Sequence, residues 1–258
     1  MASRTSTLLD ELSLYLRPPG RGIHAVSTGL REAEAFTAKY LRGSRDLGRS
    51  WRQHLEGVVE LKGKNAVAIL AIPPDTGAGI SRGAAHGPEG IRARWSSAPA
   101  FELGDVFSVP QLMDDEMHSA SLLTRARKAV FASAPPSMRA KVSRLPVSPL
   151  SMAERVYTIL RQLNPELRVL LLGGDHTVTW PALAAILGEG KAKNKDVGIV
   201  HFDAHTDLLQ ERLGVRYCFA TWAYHANELL GRGQRLVQLG IRASGHGRAY
   251  WESSLGVK

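Results

Sequence analysis

The segment 201–207, with the sequence HFDAHTD, is rich in residue types that bind metal ions. In extended backbone, side chains two residues apart point to the same face, so Asp203, His205 and Asp207 are expected to converge. Two carboxylates and an imidazole beside a buried strand are destabilising unless a cation lies between them. Carboxylate and imidazole ligands without a thiolate suit Mn²⁺, with Zn²⁺ or Fe²⁺ as substitutes. The segment therefore predicts a divalent-metal site.

A second histidine, His176, follows Gly173, Gly174 and Asp175 at the end of another predicted strand. Ligands of open parallel sheets bind at the carboxyl ends of the strands, so His176 is expected as a further metal ligand. The two glycines permit a tight turn and a close approach of the backbone. The alternative is that the two aspartates of 201–207 are a helix cap and a surface residue, with His205 a loop histidine. The two motifs together favour the metal site.

These two motifs, GGDHTVTWPAL (173–183) and HFDAHTD (201–207), resemble the manganese-ligand motifs of the ureohydrolase family, which includes arginases and agmatinases. Supporting similarity comes from IPPDTGAGISRGAAHGPEGIR (72–92), ELGDV (102–106) and VQLGIR (237–242). The resemblance covers roughly 66–242. It implies a three-layer α/β/α fold with a mainly parallel sheet and assembly into a trimer or hexamer. It also implies two Mn²⁺ ions that activate a bridging water to attack a guanidinium carbon, with release of urea.

The resemblance also implies a role for each matching residue. His176 and Asp207 would bind one metal ion and His205 the other, with Asp203 bridging both. Asp207 would in addition accept a hydrogen bond from the bridging water and pass a proton to the leaving amine.

The sequence departs from the family pattern in its acidic motifs. The two remaining metal ligands of the family belong to a later S-x-D-x-D-x-x-D-P motif, which this sequence lacks. The acidic run 114–116 precedes both metal motifs, has the wrong spacing, and is predicted to be a solvated loop. We therefore expect a chain that is incomplete at its C-terminus, divided into an N-terminal helical extension (1–65) and an incomplete α/β domain (66–258).

A second departure concerns the histidine that shuttles protons in the family. Tyr217 or Cys218 stands in its place, depending on the alignment, and His225 lies one helical turn further on. His225 is a candidate catalytic residue; the alternative is a surface or capping histidine. Cys218 has no nearby base in the sequence, so a buried packing role is expected rather than a nucleophile.

Leu209 stands where arginases place an asparagine that holds the amino-acid end of arginine. This favours a substrate without an α-carboxylate, and the expected function is Mn²⁺-dependent hydrolysis of agmatine to putrescine and urea, a step of polyamine metabolism. The alternatives are an inactive scaffold that serves as an interaction subunit, or a related arginase, guanidinobutyrase or formimidoylglutamase.

The elements that must position these residues follow from apolar spacing and from Gly and Pro breaks. Ser151 and Glu154 form a capping box that predicts the start of a helix at 151. No helix is expected after the last strand. Strands are predicted at 66–72, 101–109, 167–172, 197–202 and 235–241, and helices at 8–16, 31–42, 50–62, 87–95, 118–132, 151–163, 179–187 and 220–230. This alternation predicts an α/β fold with a mainly parallel sheet.

Composition excludes several classes of protein. The 258 residues carry 33 Lys and Arg against 24 Asp and Glu, a net charge of +9, but the basic residues are scattered and nucleic-acid binding is not expected. No apolar run approaches the ~18 residues of a membrane span. The single cysteine excludes an internal disulfide framework and a thiolate zinc site. The N-terminus lacks the features of a targeting peptide, and a cytoplasmic location is expected.

Overall fold

A computed structural model of the protein describes residues 4–24, 47–79, 82–95, 100–188 and 197–258. The chain forms two compact units. The first comprises segments 1–76 and 82–175, and the second comprises segments 77–81 and 176–258. The helix predicted at 31–42 lies outside the described residues. The predicted division at residue 65 coincides with neither boundary of these units and stays a prediction.

The described strands of the first unit are β1 (Leu16–Arg17), β2 (Val67–Ile72), β3 (Phe101–Val106) and β4 (Arg168–Gly173). They form one sheet in the order β1-β3-β2-β4. The central strand β2 runs parallel to β3 and β4, and the short β1 is antiparallel to β3. Residues 68–72 of β2 are fully buried, which explains why that strand is a continuous apolar run rather than an alternating one.

Helices precede and follow these strands in the first unit. The longest of the described helices, α6 (Pro149–Leu163), has Ser148 as its N-cap, so the predicted cap at Ser151 is wrong. Proline at the first helical position fits because its missing N–H has no partner there, and the Ser151 hydroxyl instead accepts the Asp115 N–H. The helices are α1 (Arg4–Tyr15), α2 (Leu47–Glu56), α3 (Gly87–Ala93), α4 (Ala120–Val130), α5 (Pro136–Arg139) and α6 (Pro149–Leu163).

The acidic run 114–116 is an ordered turn, so its prediction as a solvated loop is wrong. Asp114 is buried. The Asp115 carboxylate accepts the backbone N–H groups of Val147 and Ser148 and pairs with Arg127 at 2.9 Å. The run therefore holds the start of α6 in place, a tertiary role that the spacing of acidic residues does not reveal.

A buried ion cluster ties α3 to β3. Arg92, from the Gly-Pro-x-x-Ile-Arg motif, is fully buried and pairs with Glu102 and Asp105 of β3. Asp105 also accepts the N–H groups of Gly20 and Gly22. This motif therefore has a structural role in the first unit, because the charges are buried and fully paired.

The second unit contains a parallel pair of strands, β5 (Ile199–Phe202) and β6 (Leu236–Leu239). Among its described residues are the helices α7 (Thr179–Gly188), α8 (Trp222–Leu230) and α9 (Arg248–Leu255). The expectation of no helix after the last strand is wrong, since α9 follows β6. Leu255 and Val257 are buried at its end, and Gly256 adopts a left-handed φ of +62°, which is typical of a helix C-terminus.

The fold class predicted from the sequence is confirmed as α/β with mainly parallel strands, here divided between a four-stranded and a two-stranded sheet. No helix in the described part of the chain is both long enough and apolar enough to cross a membrane.

Candidate metal centre

The loop that follows β5 is held by backbone hydrogen bonds to the segment that follows β6. The Asp203 N–H donates to the Leu239 carbonyl at 3.1 Å, which extends the parallel ladder by one residue. The Ala204 carbonyl accepts the N–H groups of Arg242 and Ala243. Gly240 has a φ of +90°, and a Cβ there would lie 3.1 Å from the Asp203 carbonyl oxygen. The backbone that carries the predicted ligands is therefore fixed.

Four side chains of the second unit bring their nitrogen and oxygen atoms within 4.8 Å of one another: His176, His201, Asp203 and Asp207. Nδ1 of His176 lies 3.0 Å from Oδ2 of Asp203 and 3.1 Å from Oδ2 of Asp207. His176 follows β4, and the other three belong to β5 and its loop. Three of the four predicted ligands are thus together, and His201 is a fourth member of the group.

Asp207 is the most constrained member of the group. Its φ of +51° lies in the left-handed region that non-glycine residues rarely adopt, and such strain concentrates at functional sites. The buried carboxylate accepts the indole N–H of Trp222 at 2.8 Å. The Trp222 ring also packs against the rings of His176 and His201, with centroids 4.7 Å away in both cases. Trp222 therefore contacts three of the four residues.

His201 was not predicted as a site residue, although the alternation argument applies to it. It lies two residues before Asp203 and so shares its face. Its ring is buried, with Nε2 3.4 Å from Oδ2 of Asp203 and Nδ1 3.0 Å from the Gln238 side-chain nitrogen. Burial, and then the neighbouring His176 ring, lower the pKa of His201 below its usual value. The ring is therefore neutral at neutral pH.

His205 lies on the other side of Asp203. Its side chain is 67% exposed, and its Nδ1 is 3.4 Å from Oδ1, the opposite oxygen of that carboxylate. The Asp203 Oδ1 atom also accepts the His205 N–H at 3.0 Å. Extended alternation ends at Phe202, because β5 ends there and Asp207 adopts a positive φ. The role of His205 as a ligand stays a prediction.

The Asp203 carboxyl has a pKa below its usual value. Partial burial raises this pKa, but the His205 N–H and the His176 and His201 rings outweigh the effect of burial. The carboxylate is therefore ionised at neutral pH, the form that binds a metal ion.

His225, the predicted catalytic histidine, lies on α8 among aromatic rings. Its Nε2 is 3.1 Å from the Arg216 carbonyl oxygen, and its ring contacts Trp180, Tyr217 and Tyr224. It does not belong to the group of four, and its catalytic role stays a prediction. Cys218 is buried, which agrees with the expected packing role.

The donor set fits a divalent metal ion. Two ligands bound at right angles, each about 2.1 Å from an ion, are about 3.0 Å apart. The His176 nitrogen has this separation from one oxygen of each aspartate, 3.0 and 3.1 Å. Within the described residues, the ion-pair partners found for Asp203 and Asp207 are histidine rings, a side-chain type that also binds metal ions. His176, Asp203 and Asp207 would hold the ion.

The fold and the group of histidine and aspartate side chains together define the class of this protein: it is an α/β protein with a candidate divalent-metal centre. A model of the arginase family matches residues 65–258, and the chain belongs to that family. The family assignment made from the two motifs is thereby confirmed.

Comparison with individual proteins agrees with this assignment. The chain is 30% identical to a guanidinobutyrase from Pseudomonas aeruginosa over 200 residues, which are 75% of this chain and 53% of that protein. It is 46% identical to an agmatinase from Proteus mirabilis over 76 residues, 29% of this chain and 23% of that protein. The structure of an arginase from Medicago truncatula shares the fold, with a TM-score of 0.52 and 22% identity over 80% of this chain and 61% of that chain. The chain thus spans about half the length of the guanidinobutyrase.

Proposed function

We propose that this chain carries a metal-binding part of the active site of a hydrolase that cleaves a C–N bond of a linear guanidino compound, with Mn²⁺ as cofactor. The observation that supports the proposal best is the group of His176, Asp203 and Asp207, whose donor atoms face one another after strands β4 and β5. The names of the relatives, guanidinobutyrase and agmatinase, support the substrate class.

The surroundings of Asp203 and Asp207 support a separate role for each of these two residues. Asp203 is ionised and partly exposed, so it can bind an ion and still face a substrate. Asp207 is buried and held by Trp222, so its carboxylate is oriented before the ion or the substrate arrives. When bound, a divalent ion lowers the pKa of water and supplies a nucleophile at neutral pH. Asp207 would accept a hydrogen bond from the nucleophile and help to move a proton to the leaving amine.

Agmatine is the proposed substrate. Leu209 is half-exposed and apolar, so it offers no hydrogen bond to an α-carboxylate. A guanidino acid is the second candidate, because the guanidinobutyrase aligns with 75% of this chain. We further propose a cytoplasmic homo-oligomer, a trimer or hexamer, which size-exclusion chromatography with light scattering would test.

The first experiment is a titration of the purified protein with Mn²⁺ by isothermal calorimetry. Loss of a residue that only hydrogen-bonds to a metal ligand weakens metal binding about 10- to 100-fold. Asp203→Asn removes a proposed ligand itself, so it should weaken Mn²⁺ binding by more than that. Glu252→Gln is the matched control, because Glu252 is an exposed acid on α9 that pairs with Arg248. Equal Mn²⁺ affinities for the two variants would contradict the metal assignment.

The second experiment measures urea released from agmatine, from a guanidino acid and from arginine in the presence of Mn²⁺. Release from agmatine that is lost in Asp203→Asn and in His205→Ala would support the proposed activity. Binding of Mn²⁺ without urea from any of the three compounds would support the alternative of an inactive scaffold. The intact mass of the natural protein would show whether its chain is longer than 258 residues.

A further inference from the structure

The side-chain amide of Gln238 lies between two acceptors. Its nitrogen is 2.6 Å from the Thr206 carbonyl oxygen and 3.0 Å from Nδ1 of His201. A backbone carbonyl accepts hydrogen bonds and never donates them, so the Thr206 oxygen requires the nitrogen end of the amide to face it. The opposite orientation would place two oxygens 2.6 Å apart with no hydrogen between them. The orientation of the Gln238 amide is therefore determined.

This orientation determines which nitrogen of His201 carries the proton. The Gln238 amide group has two hydrogens, of which one bonds Thr206 and the other points at Nδ1. Nδ1 must then present its lone pair. In a neutral imidazole the single proton is on the other nitrogen, which here is Nε2. The strand register enforces the arrangement, because His201 of β5 and Gln238 of β6 are paired directly.

We infer that His201 is a positioning residue for Asp203 and not a ligand of the metal ion. A ligand needs a lone pair on the nitrogen that faces the ion, and the Nε2 that faces the group of four carries a hydrogen instead. The distance from the His201 Nε2 atom to Oδ2 of Asp203 is 3.4 Å. This is longer than a full hydrogen bond but short enough for the N–H to attract the carboxylate. The inference rests on the proposed function, because it assigns roles within the same metal site.

The packing around His201 keeps the ring in this orientation. The residue is 4% exposed, and the Trp222 ring meets it edge to face at a centroid distance of 4.7 Å. The His176 ring lies 5.2 Å away, also edge to face. A rotation of the His201 ring would break the bond to Gln238 and displace both neighbours. The ring therefore holds its Nε2–H toward Asp203 whether or not an ion is bound.

The test begins with the metal-free protein, labelled with ¹⁵N and studied by NMR. His201 should show a protonated Nε2 and an unprotonated Nδ1, with a scalar coupling across the hydrogen bond from the Gln238 side-chain nitrogen to Nδ1. Gln238→Met is the contrasting variant, because it removes the amide donor that faces Nδ1, so the scalar coupling to Nδ1 should disappear. An unprotonated Nε2 in the wild type would overturn the inference. These wild-type signals need no variant that folds poorly.

The second measurement is pulsed EPR of the Mn²⁺-loaded protein, which detects nitrogen bound directly to the ion. His176→Gln should remove a directly bound nitrogen, whereas His201→Gln should not, since the inference places no His201 nitrogen on the ion. His201→Gln should also keep most of the Mn²⁺ affinity, because its side chain can still offer an N–H to Asp203. His201→Phe removes the donor and should weaken Mn²⁺ binding about 10- to 100-fold. Loss of a bound nitrogen in His201→Gln would overturn the inference while leaving the proposed function intact. A wild-type protein that binds no Mn²⁺ would overturn the proposed function itself, and the role of His201 in the metal site with it.

Discussion

The indole N–H of Trp222 is the contact whose removal tests the candidate metal centre most directly. Trp222→Phe keeps an aromatic ring beside His176 and His201 and deletes the 2.8 Å hydrogen bond to Asp207. A hydrogen bond to a charged group contributes about 1.5–3 kcal/mol, and both partners are buried, so water cannot replace the lost donor. We expect the free energy of unfolding of the metal-free protein to fall by about this amount.

The same substitution should weaken metal binding. Asp207 holds a left-handed backbone conformation, and the indole orients its carboxylate toward His176. When a residue that hydrogen-bonds to a metal ligand and orients it is lost, the affinity for the metal falls about 10- to 100-fold. Isothermal calorimetry with Mn²⁺ measures this affinity, and urea denaturation followed by circular dichroism measures stability.

Trp251→Phe is the matched control for Trp222→Phe. The Trp251 indole also donates at 2.8 Å, but to the neutral hydroxyl of the exposed residue Ser244. An exposed bond between neutral groups contributes about 1 kcal/mol or less, and neither Trp251 nor Ser244 belongs to the group of four. If Trp222→Phe binds Mn²⁺ as tightly as Trp251→Phe does, the indole does not orient a metal ligand and the reasoning fails.

Two further predictions concern the first unit. Arg92→Met should lower the free energy of unfolding by about 3–5 kcal/mol, because it leaves Glu102 and Asp105 buried without their cation. The control Arg248→Met, on the surface, should lower it by about 0.5 kcal/mol or less. Equal losses of stability in urea denaturation would refute the account of the ion cluster. Burial lowers the pKa of His54, so the unfolded chain binds its proton more readily and stability should fall as pH drops below about 6.5. His54→Gln should reduce that slope by at most about 1.4 kcal/mol per pH unit, and an unchanged slope between pH 7.5 and 5.5 would contradict the assignment.

Five of the six described strands and most helices could be predicted from apolar patterning, because each reflects burial along a continuous stretch; the two-residue β1 was not predicted. The run at β2 and the periodic face of α6 are both buried as the patterns predict. The start of α6 was predicted two residues late, since Pro149 and the Asp115 carboxylate, distant in sequence, fix the true start. The helix α9 was not predicted because it has only eight residues, of which half are polar, and its buried anchors, Leu255 and Val257, lie at and just after its end.

The candidate site could be predicted in its composition and less well in its geometry. Their residue types and their positions after predicted strands identified His176, Asp203 and Asp207 as candidate ligands, and the structure places them together. The side of Asp203 on which His205 lies could not be predicted from alternation, because the chain leaves extended conformation after β5. Loop conformation depends on bonds to the segment after β6, and local sequence does not encode those bonds.

The pairing of β5 with β6 shows how the local sequence pattern and the tertiary structure together determine the role of His201. Alternation alone places His201 on the face of Asp203, but it cannot say whether the imidazole offers a lone pair or a hydrogen to that face. The register between the strands answers this, since it sets Gln238 opposite His201 and the Thr206 carbonyl fixes the amide. Register between parallel strands depends on how the intervening chain packs, so it is a property of the folded unit. The chemistry of a conspicuous histidine in this motif is therefore decided by a glutamine 37 residues further along the chain.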